Sequence, residues 1–237
     1  MVVPKVTRYL ILAAACLVLV AVACRAGEER APIRVEDYSA PIRVACVGDS
    51  ITFGSGIKDR DTNSYPAQLG QLLGAKWEVK NFGVSAATML KKGDKPYHNL
   101  KAFAEALAFK PDVVIIKLGT NDSKPQNWKH KADFVADYKD MIAAFRKAHP
   151  KVHVYVCLPV PAFPGRWGID DGRIRNEVIP LTIQVVRECG AGGIDLYTAL
   201  SGKKDLFPDT VHPNREGAAL MAAEICRVLT GKARKAA

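Results

Sequence analysis

Five strand-like runs recur along this chain, each followed by a stretch of helical periodicity, and that alternation admits few folds. Strands are expected over 42–48, 77–82, 112–119, 152–158 and 193–197, and helices over 64–74, 97–109, 131–148, 171–189 and 214–230. Val113-Val114-Ile115-Ile116 and the run 152–156 are apolar almost throughout, the pattern of strands covered on both faces. In the third helix Phe134, Tyr138, Met141, Ile142 and Phe145 recur at spacings of three and four and draw one apolar stripe, with Asp133 placed to serve its first turn. Pro111 and Pro150 stand just ahead of strands, where a helix has to have ended. Five βα units joined by right-handed crossovers give an α/β fold, a three-layer α/β/α sandwich on a five-stranded parallel sheet in the order 2-1-3-4-5.

In such a sheet, ligands meet the carboxyl ends of the strands. The chain puts its unusual residues there: Gly48-Asp49-Ser50 after the first strand, Asn81-Phe82-Gly83 after the second, Gly119-Thr120-Asn121-Asp122 after the third, and Asp209 to His212 after the fifth. A serine hydroxyl is a poor nucleophile without a base in hydrogen-bond reach and a group that fixes the tautomer of that base. Among the five histidines, His212 alone combines an acid three positions away with a loop after the last strand; Ser50, His212 and Asp209 therefore read as a hydrolytic triad. Asp209 serves equally to cap a local turn, with His212 an ordinary surface residue. Acyl transfer also needs donors aimed at a developing oxyanion, and the Ser50 amide, the Gly83 amide and the Asn121 carboxamide can supply them. Read singly, Gly83 only permits a tight turn and the 119–122 stretch only caps a helix.

Taken together, Gly48-Asp49-Ser50-Ile51-Thr52-Phe53-Gly54, Asn81-Phe82-Gly83-Val84-Ser85, Gly119-Thr120-Asn121-Asp122 and Asp209-Thr210-Val211-His212-Pro213 resemble, in order, the four blocks of the GDSL or SGNH hydrolases. The likeness runs over about residues 41–230 and implies a flavodoxin-like sheet, Ser50 as nucleophile and oxyanion donor, Gly83 and Asn121 as the other donors, His212 as base and Asp209 as its orienting acid. It implies neither metal nor other cofactor. The α/β-hydrolase alternative requires G-x-S-x-G, and position 52 is threonine. Two departures stand out: Ala86-Ala87 follows Ser85 where the family often has glycine, and Lys117 ends an otherwise apolar strand, either reaching water at the sheet edge or paired with a carboxylate such as Asp49.

The substrate must be read from the loops. The segment 159–168, with Phe163 and Trp167, and the segment 123–128, ending in Trp128, offer aromatic faces and polar groups suited to stacking a sugar ring; with Asp49 they are the expected substrate contacts. No long apolar lid for an acyl chain is visible. The chain thus resembles carbohydrate acetylesterases of the sialate O-acetylesterase or acetylxylan type, with a lysophospholipase or acyl-thioesterase as the alternative enzyme and a silent glycan-binding module as the alternative of another class.

Residues 1–23 carry Lys5 and Arg8 ahead of an apolar run ending Ala21-Val22-Ala23, the pattern of an export signal; Cys24 directly after it also admits lipid attachment, the only membrane link expected. A polar leader is expected over 24–40, the hydrolase domain over 41–230 and a basic tail over 231–237. Loss of residues 1–23 leaves 32 basic against 24 acidic residues, and the lysines are scattered as solvated faces, so no nucleic-acid partner is expected. Cys46 and Cys157 lie inside strand-like runs and read as buried free thiols, and no cysteine pair has metal-ligand spacing.

Overall fold

The computed structural model describes residues 30–233. The expected signal over 1–23, Cys24, the first part of the leader and the end of the basic tail lie outside the described residues. Within them, five parallel strands form one sheet in the order 2-1-3-4-5: β1 Ile42–Gly48, β2 Trp77–Gly83, β3 Val113–Lys117, β4 His153–Leu158 and β5 Gly192–Asp195. The central β1 pairs on both sides, with Gly48 opposite Gly83 of β2 and Lys117 of β3. This register brings three loops to one point of the rim.

Period-two alternation divides the sheet between two cores. Six helices flank the sheet: α1 Ser50–Phe53, α2 Tyr65–Leu73, α3 Lys101–Ala108, α4 Phe134–Ala148, α5 Ile179–Cys189 and α6 Arg215–Thr230; Val44, Cys46, Val113, Ile115, Tyr155 and Cys157 point to one face. That face is covered by α2 through Tyr65 and Leu69 and by α6 through Met221, Ile225 and Leu229. Ala45, Val47, Val114, Ile116, Val154 and Val156 point the other way, against Ala106 of α3, the stripe of α4 and Val185 and Val186 of α5. Phe134, Tyr138, Met141, Ile142 and Phe145 are all buried, so the spacing in the sequence marks the packed side of α4.

Several boundaries differ from the sequence reading. β3 ends at Lys117 instead of 119 because Gly119 takes φ +113° and turns the chain away. β5 is over at Asp195, whose carboxylate accepts the Thr198 amide and starts a short helix, Leu196–Leu200. The expected helix 97–109 begins only at Lys101, after a 3₁₀ turn at Tyr97–Asn99 and extended backbone at Leu100. Asp133 does not cap α4 with its side chain; the carboxylate pairs with Lys92 Nζ at 2.9 Å. The expected helix 171–189 holds a π-helical stretch, Ile174–Val178, ahead of Pro180, which lacks an N–H and crowds the carbonyl four residues back. Among the described residues no helix is long and apolar enough to cross a membrane.

Candidate active site

β1 runs without side-chain interruption to Gly48, which has to be glycine: a Cβ there would lie 2.6 Å from the Lys117 carbonyl oxygen and 2.1 Å from Thr52 Oγ1. Asp49 then caps α1, its Oδ1 accepting the Ile51 amide at 2.9 Å. Ser50 opens the helix, where its own amide has no intrahelical acceptor. Its hydroxyl lies 2.8 Å from His212 Nε2, and His212 Nδ1 lies 2.7 Å from Asp209 Oδ2. A proton can therefore pass from Ser50 to the ring while the carboxylate holds the opposite nitrogen.

Asp209 is held by more than the ring. Its Oδ1 accepts the amides of Val211 at 3.0 Å and His212 at 2.7 Å. Burial pushes the Asp209 carboxyl up, but the amide and ring N–H of His212 and the amide of Val211 more than reverse this and hold it below the ordinary carboxylate value. The turn that aims these donors places Thr210 at φ +72°, a conformation strained for a β-branched residue. Its carbonyl accepts the Phe163 amide at 2.8 Å, which ties the segment 159–168 to the Asp209–His212 turn.

An open pocket of about 280 Å³ lies over Ser50 and His212, and Asn121, Ala86, Trp167 and Ile169 take part in its walls. Asn121 is buried and spends one carboxamide N–H on the Ala87 carbonyl at 3.1 Å; the group has a second N–H to offer. Gly83 is a correction. It does not line the pocket, because its amide donates to Asn81 Oδ1 at 2.9 Å and its missing side chain serves to let α1 pass, a Cβ there falling 2.2 Å from the Phe53 nitrogen. The neighbouring loop instead presents Ala86, which lines the pocket at φ +65° with an amide that meets no acceptor among the described residues. Alanine directly after Ser85, where the family often carries glycine, was the sequence signal for it.

Of the four expected substrate contacts, only Trp167 reaches the pocket. The residue is 53% exposed, its ring centroid is 5.6 Å from that of His212, and the Arg166 guanidinium sits 4.8 Å over it. Trp128 is turned inward, donating its indole N–H to Glu177 Oε2 at 2.8 Å and stacking edge-on against Phe134. Phe163 packs on the core against Phe207, with ring centroids 5.0 Å apart. Asp49 is fully buried and offers no surface to a substrate. Its carboxylate meets Lys117 Nζ at 3.0 and 3.2 Å, and the ammonium also donates to Thr120 Oγ1 at 2.7 Å; Lys117 does not reach water at a sheet edge. Lys124, within the expected segment 123–128, does line the pocket, whereas residues missed in the sequence are Ser55 and Ser85, whose hydroxyls bond at 3.0 Å on the pocket wall, together with Ile169. Ser55 and Ser85 each lie within two residues of a motif glycine or at a motif's end, which was a usable signal; nothing in the sequence marked Ile169.

Residues 46–220 match the model of the GDSL-like lipase/acylhydrolase family. The chain is 46% identical over 208 residues to the acetylxylan esterase of Xylanibacter ruminicola, a match that covers 79% of this chain and 43% of that protein. It is 29% identical over 126 residues to the cellulase/esterase CelE of Acetivibrio thermocellus, covering 52% of this chain and 14% of that protein. The chain thus spans less than half the length of the curated relatives it matches. Among solved structures, a lipolytic protein of the G-D-S-L family from Desulfitobacterium hafniense superposes with a TM-score of 0.62 at 27% identity, over 79% of this chain and 99% of that one.

Proposed function

This chain belongs to the GDSL-like lipase/acylhydrolase family, a family of carboxylic ester hydrolases, and from that premise we propose that it is a serine esterase that removes acetyl or another short acyl group from carbohydrate. The observation that carries the reading is the hydrogen-bonded chain Ser50 Oγ to His212 Nε2 and His212 Nδ1 to Asp209 Oδ2, open to a pocket beside unspent N–H donors. Ser50 Oγ attacks the ester carbonyl as neutral His212 takes its proton. The negative oxygen that forms is held by the amides of Ser50 and Ala86 and the carboxamide of Asn121. On collapse, the imidazolium returns the proton to the departing sugar oxygen, leaving an acyl-Ser50 ester. Water, deprotonated by the same ring, then releases the acid and restores the hydroxyl.

Support for a carbohydrate ester comes from the similarity to an acetylxylan esterase and from the exposed Trp167 face beside the reacting centre, a surface on which a sugar ring can stack. The apolar run of residues 10–23 behind Lys5 and Arg8 favours export, where such polymers are met. Released acetate measured on acetylated xylan, with p-nitrophenyl esters of rising chain length alongside, tests the reading. Acetyl esters are expected to be preferred and Ser50→Ala to fall to background. A clear preference for chains beyond about eight carbons would instead indicate a lipid or thioester substrate.

A further inference from the structure

Lys117 is a fully buried cation at the end of a central strand, and the reaction above makes no use of it. An ammonium in such a place is costly unless each of its N–H groups has a partner. Three acceptor atoms lie within reach of the ammonium here, and they belong to two different loops. The Asp49 carboxylate takes the charge at 3.0 and 3.2 Å while its Oδ1 caps α1, one residue ahead of Ser50. Thr120 Oγ1 takes the remaining bond at 2.7 Å, one residue ahead of Asn121. The Thr120 carbonyl in turn accepts the Ser123 hydroxyl at 2.8 Å, so the turn that carries Asn121 is fixed from both sides.

Resting on the esterase reading, we infer that Lys117 is a positioning residue that locks the Ser50 and Asn121 loops in one register and cancels the Asp49 charge beneath the developing oxyanion. Without a counter-charge, a carboxylate one residue from the nucleophile opposes the negative oxygen formed in the transition state and leaves the ground state almost untouched. The loss therefore falls on kcat and spares KM. Other titratable groups facing the pair are Asp122, Tyr65 of α2, Tyr138 of α4 and Cys157 of β4. Burial raises both phenols well above their usual range and pushes the thiol to about 12, so these three stay protonated at working pH. Asp122, pushed by burial to about 6, is present in wild type and variants alike and is removed by comparing them at each pH.

The test is steady-state hydrolysis of p-nitrophenyl acetate, with fluorophosphonate labelling of Ser50, across the pH range. Lys117→Met is expected to lower kcat by roughly 10²-fold, the order lost with one oxyanion donor, at nearly unchanged KM. Asp49→Asn in the Lys117→Met background removes the stranded charge while asparagine still caps α1; kcat recovers to within about tenfold of wild type. Should Lys117→Met fail to fold, Thr120→Val, which keeps the shape and deletes one bond, is expected to cost about tenfold in kcat at constant KM. A folded Lys117→Met with wild-type kcat, a double variant no better than the single one, or a Thr120→Val indistinguishable from wild type overturns the role. Wild-type protein that neither hydrolyses the ester nor takes the label overturns the esterase reading and this role with it, whereas an active wild type with indifferent variants overturns this role alone.

Discussion

Ala86 lines the pocket where an L-residue is strained, at φ +65°, and its amide meets no acceptor among the described residues. The left-handed conformation costs an L-residue about 1–2 kcal/mol, while glycine loses about 0.4–1 kcal/mol more entropy on folding. Ala86→Gly is therefore expected to leave stability unchanged or raise it by up to about 1.5 kcal/mol, with kcat preserved because the N–H is kept; urea midpoints check the first and ester hydrolysis the second. Asp209 makes the opposite case, since three N–H groups converge on its charge. Asp209→Asn keeps the shape and loses the carboxylate that fixes the ring tautomer, so kcat is expected to fall by about 10⁴-fold, and a loss under tenfold would remove Asp209 from the proposed triad. Because its carboxyl is held below the ordinary carboxylate value, Asp209 keeps its charge at mildly acid pH. Trp167→Ala is expected to raise KM for acetylated saccharides about tenfold and to leave p-nitrophenyl acetate kinetics within about twofold, the split that distinguishes a stacking face from a group in the chemistry.

Elements that bury one face declare themselves by period, and those are the parts legible from the chain. The apolar stripe of α4 could be read because residues three and four apart share a helix face, and all five of its members are buried. Phe145 lies within that stripe and beside Phe103, so Phe145→Ala is expected to cost about 3–5 kcal/mol in urea unfolding while kcat per folded molecule stays at the wild-type value. Loops carry no period. Trp128 and Phe163 had the composition of substrate contacts, yet each turns to a partner far along the chain, Glu177 in one case and Phe207 in the other. The π-helical stretch before Pro180 was hidden for a related reason: the sequence marks the missing N–H but not how the preceding turn absorbs it. Gly83 and Ala86 show the same limit at a finer grain. They stand three residues apart in the chain, and only the backbone path decides which residue lines the pocket and which amide is spent on Asn81.

Across the molecule, the register of β1 against β2 and β3 gathers Ser50, Ala86 and Asn121 at one rim, and the last loop brings His212 to them; this convergence follows from the strand order, which the βα alternation made legible. One buried charge on that rim links the whole fold to pH. Asp122 holds the returning loop by accepting the amides of Met89 at 3.0 Å and Leu90 at 2.8 Å, and it is fully buried. Burial, opposed by those amides and aided by the Asp49 charge, raises its carboxyl to about 6 from 3.8. A raised acid binds its proton more tightly in the folded state than in the unfolded one, so between pH 3.8 and about 6 the folded chain carries more protons and stability contributed by this group falls as pH rises. Below that window the contribution is fully present, and above it the cost of a buried carboxylate is borne in full. Asp122→Asn cannot titrate, so the stability of wild type relative to this variant is expected to decline from pH 4 to pH 6 and then to level off, which urea unfolding at a series of pH values measures. The carboxyl carbon of Asp122, followed by NMR, is expected to titrate with a midpoint near 6. A midpoint below 4, or a gap between the two proteins that stays constant over the range, would show that the two amides outweigh burial and that the loop is held by a charge costing the fold nothing at neutral pH.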